Sequence, residues 1–149
     1  MPCPGIYAIG DDQGHMFVAK TEEDVELRVS QYLTGEKKNR FLKGSLIQRL
    51  ELLCPDEKND LEDWLRCEVL FRMYKYGIQN VRGWMFYQEE ATLCSFQIKS
   101  AFKQVCYRFR LCNQCGGEGH SDASCISNTY ATWATCMNDL NQKDSSTST

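Results

Sequence analysis

The stretch CNQCGGEGHSDASC sets Cys112, Cys115, His120 and Cys125 at the spacing C-x2-C-x4-H-x4-C. Three thiolates and one imidazole are donors that a tetrahedral zinc ion takes, and a short loop can bring all four to one point without a large core. Gly116 and Gly119 fall where such a loop must turn tightly. The spacing therefore predicts one structural Zn2+ held by these four side chains. Glu68 also asks for a chemical partner. It falls three or four positions from Trp64, Leu65 and Phe71, which with Leu61 mark one helix face. A carboxylate there needs a metal ion, an ion pair or a cage of donors, because burying it alone is costly.

The cysteine and histidine spacing resembles the zinc knuckle of retroviral nucleocapsid and RNA-handling proteins. Such knuckles bind single-stranded nucleic acid by stacking bases on one aromatic between the first two cysteines and another just after the histidine. This chain carries Asn113 and Gln114 at the first place and Ser121 and Asp122 at the second. The resemblance thus leaves open a nucleic-acid role and a structural or protein-docking role for the loop.

With 149 residues, 42% of them hydrophobic, the chain has the length for one packed domain and a small appendage. Its nine cysteines are an odd number and three belong to the zinc loop. The opening MPCPGIYAIGDD lacks the basic stretch and apolar run of an export signal, so the expectation is reduced thiols in an intracellular protein, nuclear or cytoplasmic. The longest uncharged stretch, ASCISNTYATWATCMN, is too polar to span a bilayer, and no membrane partner is expected. A formal net charge of −3 argues against coating nucleic acid through a general cationic surplus. Any such contact has to be local. Between Ala91 and Gly117 there is no acid, while Lys99, Lys103, Arg108 and Arg110 are interleaved with Phe96, Phe102, Tyr107 and Phe109. That pattern reads either as core aromatics with a solvated charged face or as an electropositive helix leading into the zinc loop.

The elements that would position these residues follow from local pattern. GIYAIG, the turn DDQG and HMFVAK read as a β-hairpin, with no role assigned to His15 in its turn region. Thr21 followed by Glu22, Glu23 and Asp24 supplies an N-cap and first-turn acids for a helix of about a dozen residues, which turns Val25, Val29 and Tyr32 to one side and stops at Gly35. Beyond the basic loop EKKNRFLKG, the run SLIQRLELLC reads as a third strand stopped by Pro55. A second helix is predicted from Asp60 to Tyr76, ending at Gly77, and a third from Glu89 to Arg110. The ending DLNQKDSSTST has the composition of a disordered tail. The fold class expected is α/β (α+β): a small three-stranded antiparallel sheet flanked by helices over residues 1–88, a basic and aromatic helix over 89–111, the zinc loop over 112–125 and a tail over 126–149.

Residues 4 to 88 resemble the GIY-YIG nuclease domain. Gly5, Ile6 and Tyr7 match the first half of its signature, and Phe17, Val18 and Ala19 fall where YIG stands. Lys20 follows, as a lysine does in the repair-incision members. Arg28 and Tyr32, one helical turn apart, match the helix arginine and its tyrosine partner, and Glu68 and Asn80 match the metal ligand and the asparagine near the domain's end. YKYGIQNVRGW is also similar to the YGIDNVRGG segment of a eukaryotic and large-virus branch, some members of which end in a zinc knuckle.

The resemblance implies a metal-dependent endonuclease acting on nucleic acid, DNA rather than RNA. In-line attack by water calls for a group that handles the water's proton, for stabilised charge on the phosphate oxygens and for a stabilised leaving oxygen. By resemblance these fall to Tyr7 for the proton, Arg28 for the phosphate and Glu68 with Mg2+ or Mn2+, while Lys20, Tyr32 and Asn80 contact substrate. Tyr7, Lys20, Arg28, Tyr32 and Glu68 are accordingly expected on one concave face. A phenol with an ordinary pKa near 10 needs a nearby cation to act as a base, and Lys20 and the metal are the candidates. The chain also departs from the pattern. Phe17 lacks the second tyrosine's hydroxyl, Ala19 adds a methyl where glycine stands, and Trp84 replaces a second glycine. These departures imply the alternative of a catalytically impaired module that binds nucleic acid or a protein partner.

Overall fold

Strands β1 (Gly5–Gly10) and β2 (Met16–Thr21) form the expected antiparallel hairpin, with Tyr7 opposite Ala19 and Ile9 opposite Phe17. The structure, a computed structural model of the chain, describes residues 3–43, 46–53, 60–90 and 92–140. Its packing separates into two units, Met1–Val69 with Asn80–Ala91 and Leu70–Gln79 with Thr92–Thr149.

In the first unit the hairpin turn is organised by Asp11, whose side chain is fully buried. Its Oδ1 accepts the backbone N–H groups of Gln13 and His15, and its Oδ2 accepts that of Lys43 and meets His15 Nδ1, each at 2.9 Å. His15 also sets its ring against Phe41, with centroids 4.9 Å apart. The histidine is therefore a turn lock. Replacing Asp11 by Ala orphans several donors at once, which should cost about 2–4 kcal/mol in urea unfolding, with Asp12→Ala close to neutral as the exposed control.

The first helix, α1 (Val25–Leu33), starts later than Thr21 and is capped by Asp24. Thr21 is the last residue of β2 and accepts instead from Glu23 N–H, while the Asp24 carboxylate accepts from Leu27 N–H and Cys3 N–H. Gly35, at φ +83°, follows its C-cap. Strand β3 (Gln48–Leu53) lies antiparallel on the other side of β1 and is shorter than the predicted run; Ser45, Cys54 and Pro55 fall outside the described residues. Helix α2 (Leu61–Tyr76) matches its predicted span, and Gly77 ends it at φ +106° with its N–H on Met73 O.

The sheet has four strands, not three, and is mixed rather than antiparallel. After a 3-10 turn at Ile78–Asn80, β4 (Val81–Gly83) pairs parallel to β2, giving the order β3-β1-β2-β4. Three residues centred on an arginine carry no strand signature. What makes them a strand is the burial of Arg82, which has no exposed surface. Its guanidinium donates to the carbonyls of Val81 (3.1 Å), Gln88 (3.1 Å) and Glu90 (3.2 Å) and lies 4.1 Å over the Phe41 ring. Gly83, at φ +149°, leaves no room for a side chain, since a Cβ would sit 2.2 Å from Val18 O.

Side-chain alternation across the hairpin puts Tyr7, Ile9, Phe17 and Ala19 on one face, where Val25, Val29 and Tyr32 of α1 cover them. Ile6, Ala8, Val18 and Lys20 occupy the other face.

The second unit is built on α3 (Ser95–Phe109), which buries Ile98, Ala101, Phe102, Val105 and Cys106. It begins six residues later than predicted. Glu89 is engaged by Arg40 in the first unit, and Cys94 holds extended backbone at the N-cap. The chain after Cys125 is not all tail. Ala131 N–H reaches Cys115 O at 2.7 Å, a 3-10 turn at Thr132–Ala134 stacks Trp133 on Phe102, and Met137 and Leu140 are buried. Residues 141–149 of the expected disordered tail lie outside the described residues. Among the described residues no helix is long and apolar enough to cross a membrane.

Candidate functional site

Arg110 ends α3 in the left-handed conformation (φ +56°) and turns the chain so that Leu111 and Cys112 enter the core of the second unit. From there the loop folds on itself, with Cys112 N–H on Gly117 O and Gly116 N–H on Cys112 O. One ligating atom from each of Cys112, Cys115, His120 and Cys125 then lies within 4.8 Å of all the others, and Cys115 Sγ is 3.5 Å from His120 Nε2. Zinc–sulfur bonds of about 2.3 Å in a tetrahedron place sulfurs about 3.8 Å apart, so a small contraction would close the set on an ion. This buried to half-buried cluster could hold a metal ion such as zinc.

The surroundings favour thiolate at Cys112. Gln114 N–H donates to Cys112 Sγ and Gly117 N–H to Cys115 Sγ, both at 3.3 Å. Burial alone would raise the Cys112 thiol, but the backbone donors of Cys115 and Gln114 oppose it and bring the thiol down to about 7. Cys106 is different. Burial, followed by the neighbouring Cys112 and Cys115 sulfurs, pushes it up to about 12, so it stays a thiol and donates to Cys112 O. Sequence reasoning missed Trp133, whose indole N–H donates to Gly116 O at 3.0 Å and whose ring fills the space a Cβ on Gly116 would need. The available signal was an aromatic eight positions beyond Cys125.

The first unit gathers part of the second set of predicted residues. Tyr7, Phe17 and Tyr32 form a ring triangle with centroid separations of 6.3, 6.0 and 6.2 Å. Arg28, one turn before Tyr32, acts on the Tyr7 hydroxyl by charge and hydrogen bond and also pairs with Glu23 at 3.3 Å. Burial drives the Tyr7 phenol well above its ordinary range, the charge and hydrogen bond of Tyr32 push it further, and the opposing pull of Arg28 is smaller. Tyr7 is therefore a protonated donor at neutral pH.

The other predicted residues do not join this group in the same way. Lys20 projects from the opposite face of the sheet and pairs with Glu62 at 2.6 Å, so the cation beside Tyr7 is Arg28. Glu68 is half-buried on α2 and, among the described residues, belongs to no group of three or more His, Cys, Asp or Glu side chains that could hold a metal. Asn80 is exposed at the end of the 3-10 turn before β4. No family model, curated protein or solved structure matches the chain.

Proposed function

We propose that the chain is a GIY-YIG-type nucleic-acid module that binds its target, with the cleavage chemistry of that family blunted, and that its second unit is a knuckle closed by one structural zinc ion. The observation that carries this reading is the Tyr7, Tyr32 and Arg28 group beneath α1 with Phe17 as its third ring. It supplies a phosphate-binding cation and phenolic donors but no group ready to take a proton from water. Arg28 can be redirected to a phosphate, because Glu23 is largely exposed and such a pair holds only about 0–1 kcal/mol.

A metal-dependent endonuclease is the second reading, favoured by the convergence of Tyr7, Arg28 and Tyr32 at family spacing. In it, Glu68 would hold Mg2+ or Mn2+ and Tyr7 would orient the attacking water. DNA is the expected substrate, and a protein partner on the cysteine–histidine loop is the remaining alternative.

The two readings separate on oligonucleotide substrates assayed with Mg2+ and with Mn2+. Wild-type protein should bind and cut poorly, and Arg28→Ala should weaken binding by on the order of tenfold. Phe17→Tyr with Ala19→Gly returns a hydroxyl to the ring triangle and should raise cleavage about 10²- to 10⁴-fold, the contribution typical of a positioned proton-transfer group. Glu68→Ala in that background should abolish the gain. Efficient cutting by the wild type would sink the binding-first reading, and a protein that neither cuts nor shows Arg28-dependent affinity would sink both.

A further inference from the structure

The α3 aromatics divide into two groups. Phe102 is buried and Phe109 stacks on Tyr74, whereas Phe96 is 74% exposed and Tyr107 88% exposed. Between and beyond the two exposed rings stand Lys99, Lys103 and Arg110, all exposed. The steps 96, 99, 103 and 107 follow one helical face, opposite the buried face of Ile98, Ala101, Phe102 and Val105, and Arg110 follows at the helix's left-handed end. The helix itself carries no acid. At about 1.5 Å of rise per residue, the rings stand about 16 Å apart along the axis, with both lysines between them.

We infer that this face of α3 is a binding surface for single-stranded nucleic acid, on which Phe96 and Tyr107 stack unpaired bases while Lys99 and Lys103 between them, and Arg110 at the helix end, meet the phosphates. It rests on the reading under Proposed function only for the class of partner. Two lines of chemistry select that partner. A cation row without rings would serve any polyanion, including a duplex, but exposed aromatic rings are matched by bases that are free to stack. The stripe also ends at Arg110, two positions before Cys112, in the same unit as a loop that lacks stacking residues of its own: Asn113, Gln114, Ser121 and Asp122 stand where aromatics would be needed. The rings needed to grip bases are therefore carried by the helix. Phe102 stacked on Trp133, and Trp133 bonded to Gly116, tie that helix to the loop.

The test uses the full chain purified with zinc and a fluorescein-labelled 20-nucleotide single strand, alone and annealed to its complement, followed by anisotropy across a salt series. The single strand should bind more tightly than the duplex. Phe96→Ala and Tyr107→Ala should each weaken single-strand binding by on the order of tenfold, since stacking of one base is the interaction removed. Lys99→Ala with Lys103→Ala should flatten the slope of log affinity against log salt by about 1.4, as expected for two phosphate contacts on a single strand. All four side chains are exposed, and circular dichroism and zinc content serve as the checks that the variants fold. Equal binding of strand and duplex with no effect of the rings would overturn the inference in favour of a simple phosphate contact. Binding to poly-glutamate without binding to the oligonucleotide would overturn it in favour of an acidic protein partner. The comparison with Arg28→Ala keeps the two proposals apart. Loss with Arg28→Ala alone leaves the first-unit site standing and removes the α3 surface, and loss with the α3 variants alone does the reverse.

Discussion

Stripping metal from the purified protein with a strong chelator should unfold the second unit while the four-stranded sheet of the first survives. The core of that unit packs Leu70, Met73, Ile78 and Leu93 with one face of α3, Leu111, Cys112 and the Trp133 segment, and two of its closing hydrogen bonds, Gly116 N–H to Cys112 O and Ala131 N–H to Cys115 O, start or end on the cysteine loop. Structural zinc contributes about 10–16 kcal/mol of apparent free energy in small zinc-folded peptides, as much as the whole stability of a typical domain. Losing it should therefore melt everything the loop organises. Hydrogen exchange read by mass spectrometry would show protection vanish over residues 98–106, 111–117 and 131–137 while β1 and β2 stay protected. Cys115→Ser and His120→Ala should reproduce the effect, whereas Cys106→Ser should keep one zinc per chain, because its thiol is a donor to Cys112 O and stands outside the ligand set. Elemental analysis showing well under one zinc per folded wild-type chain would refute the site.

In the first unit the largest effect is expected at Arg82. Substitution by Met keeps the apolar stem and removes the donors to three carbonyls, leaving polar groups unpaired around a fully buried position. The loss should be about 3–5 kcal/mol, seen as a lowered urea midpoint for this unit. Arg82→Lys should be nearly as severe, since an ammonium has neither the planar fork that spans Val81, Gln88 and Glu90 nor the flat face that lies on Phe41. A chain ending at residue 88 should fail similarly, because it lacks the Glu90 carbonyl. Trp84→Gly is the contrasting case: it relieves a non-glycine residue at φ +53° while giving up the edge contact of a half-buried ring with Phe86, so the two effects oppose each other and the net loss should be smaller than at Arg82. An unchanged midpoint in Arg82→Met would mean that the buried guanidinium does not hold the β4 loop.

The parts of this architecture that could be read from the sequence are those set by short-range pattern. The hairpin shows through its turn residues, α2 through its period and Gly77, and the metal cluster through four ligands within fourteen positions. The parts that could not be read are decided by contacts distant in sequence. β4 is a strand only because Arg82 finds its carbonyl acceptors and Phe41. Asp24 rather than Thr21 caps α1 because Cys3 N–H shares its carboxylate. The placement of Lys20 with Tyr7 failed on parity. Once Tyr7 pairs with Ala19, the next residue must point to the other side of the sheet, a consequence that spacing along the chain does not reveal. The four aromatics of α3 looked alike in a linear reading, and only the helix separates the inward Phe102 from the outward Phe96 and Tyr107.

The parallel pairing of β4 with β2 also sets the timing of assembly. Phe17 meets Arg82 across about 65 intervening positions, a closure far slower than that of the hairpin it joins. On a ribosome adding about 5–20 residues per second, Met16, Phe17 and Val18 wait roughly 3–13 s for the strand that covers them. During that interval β2 is a bare sheet edge, carrying the unpaired backbone groups through which nascent chains associate. The newborn protein is therefore most in need of a chaperone between the emergence of its hairpin and the arrival of Arg82, and slowing translation within α2 should raise the aggregated fraction without altering the finished fold.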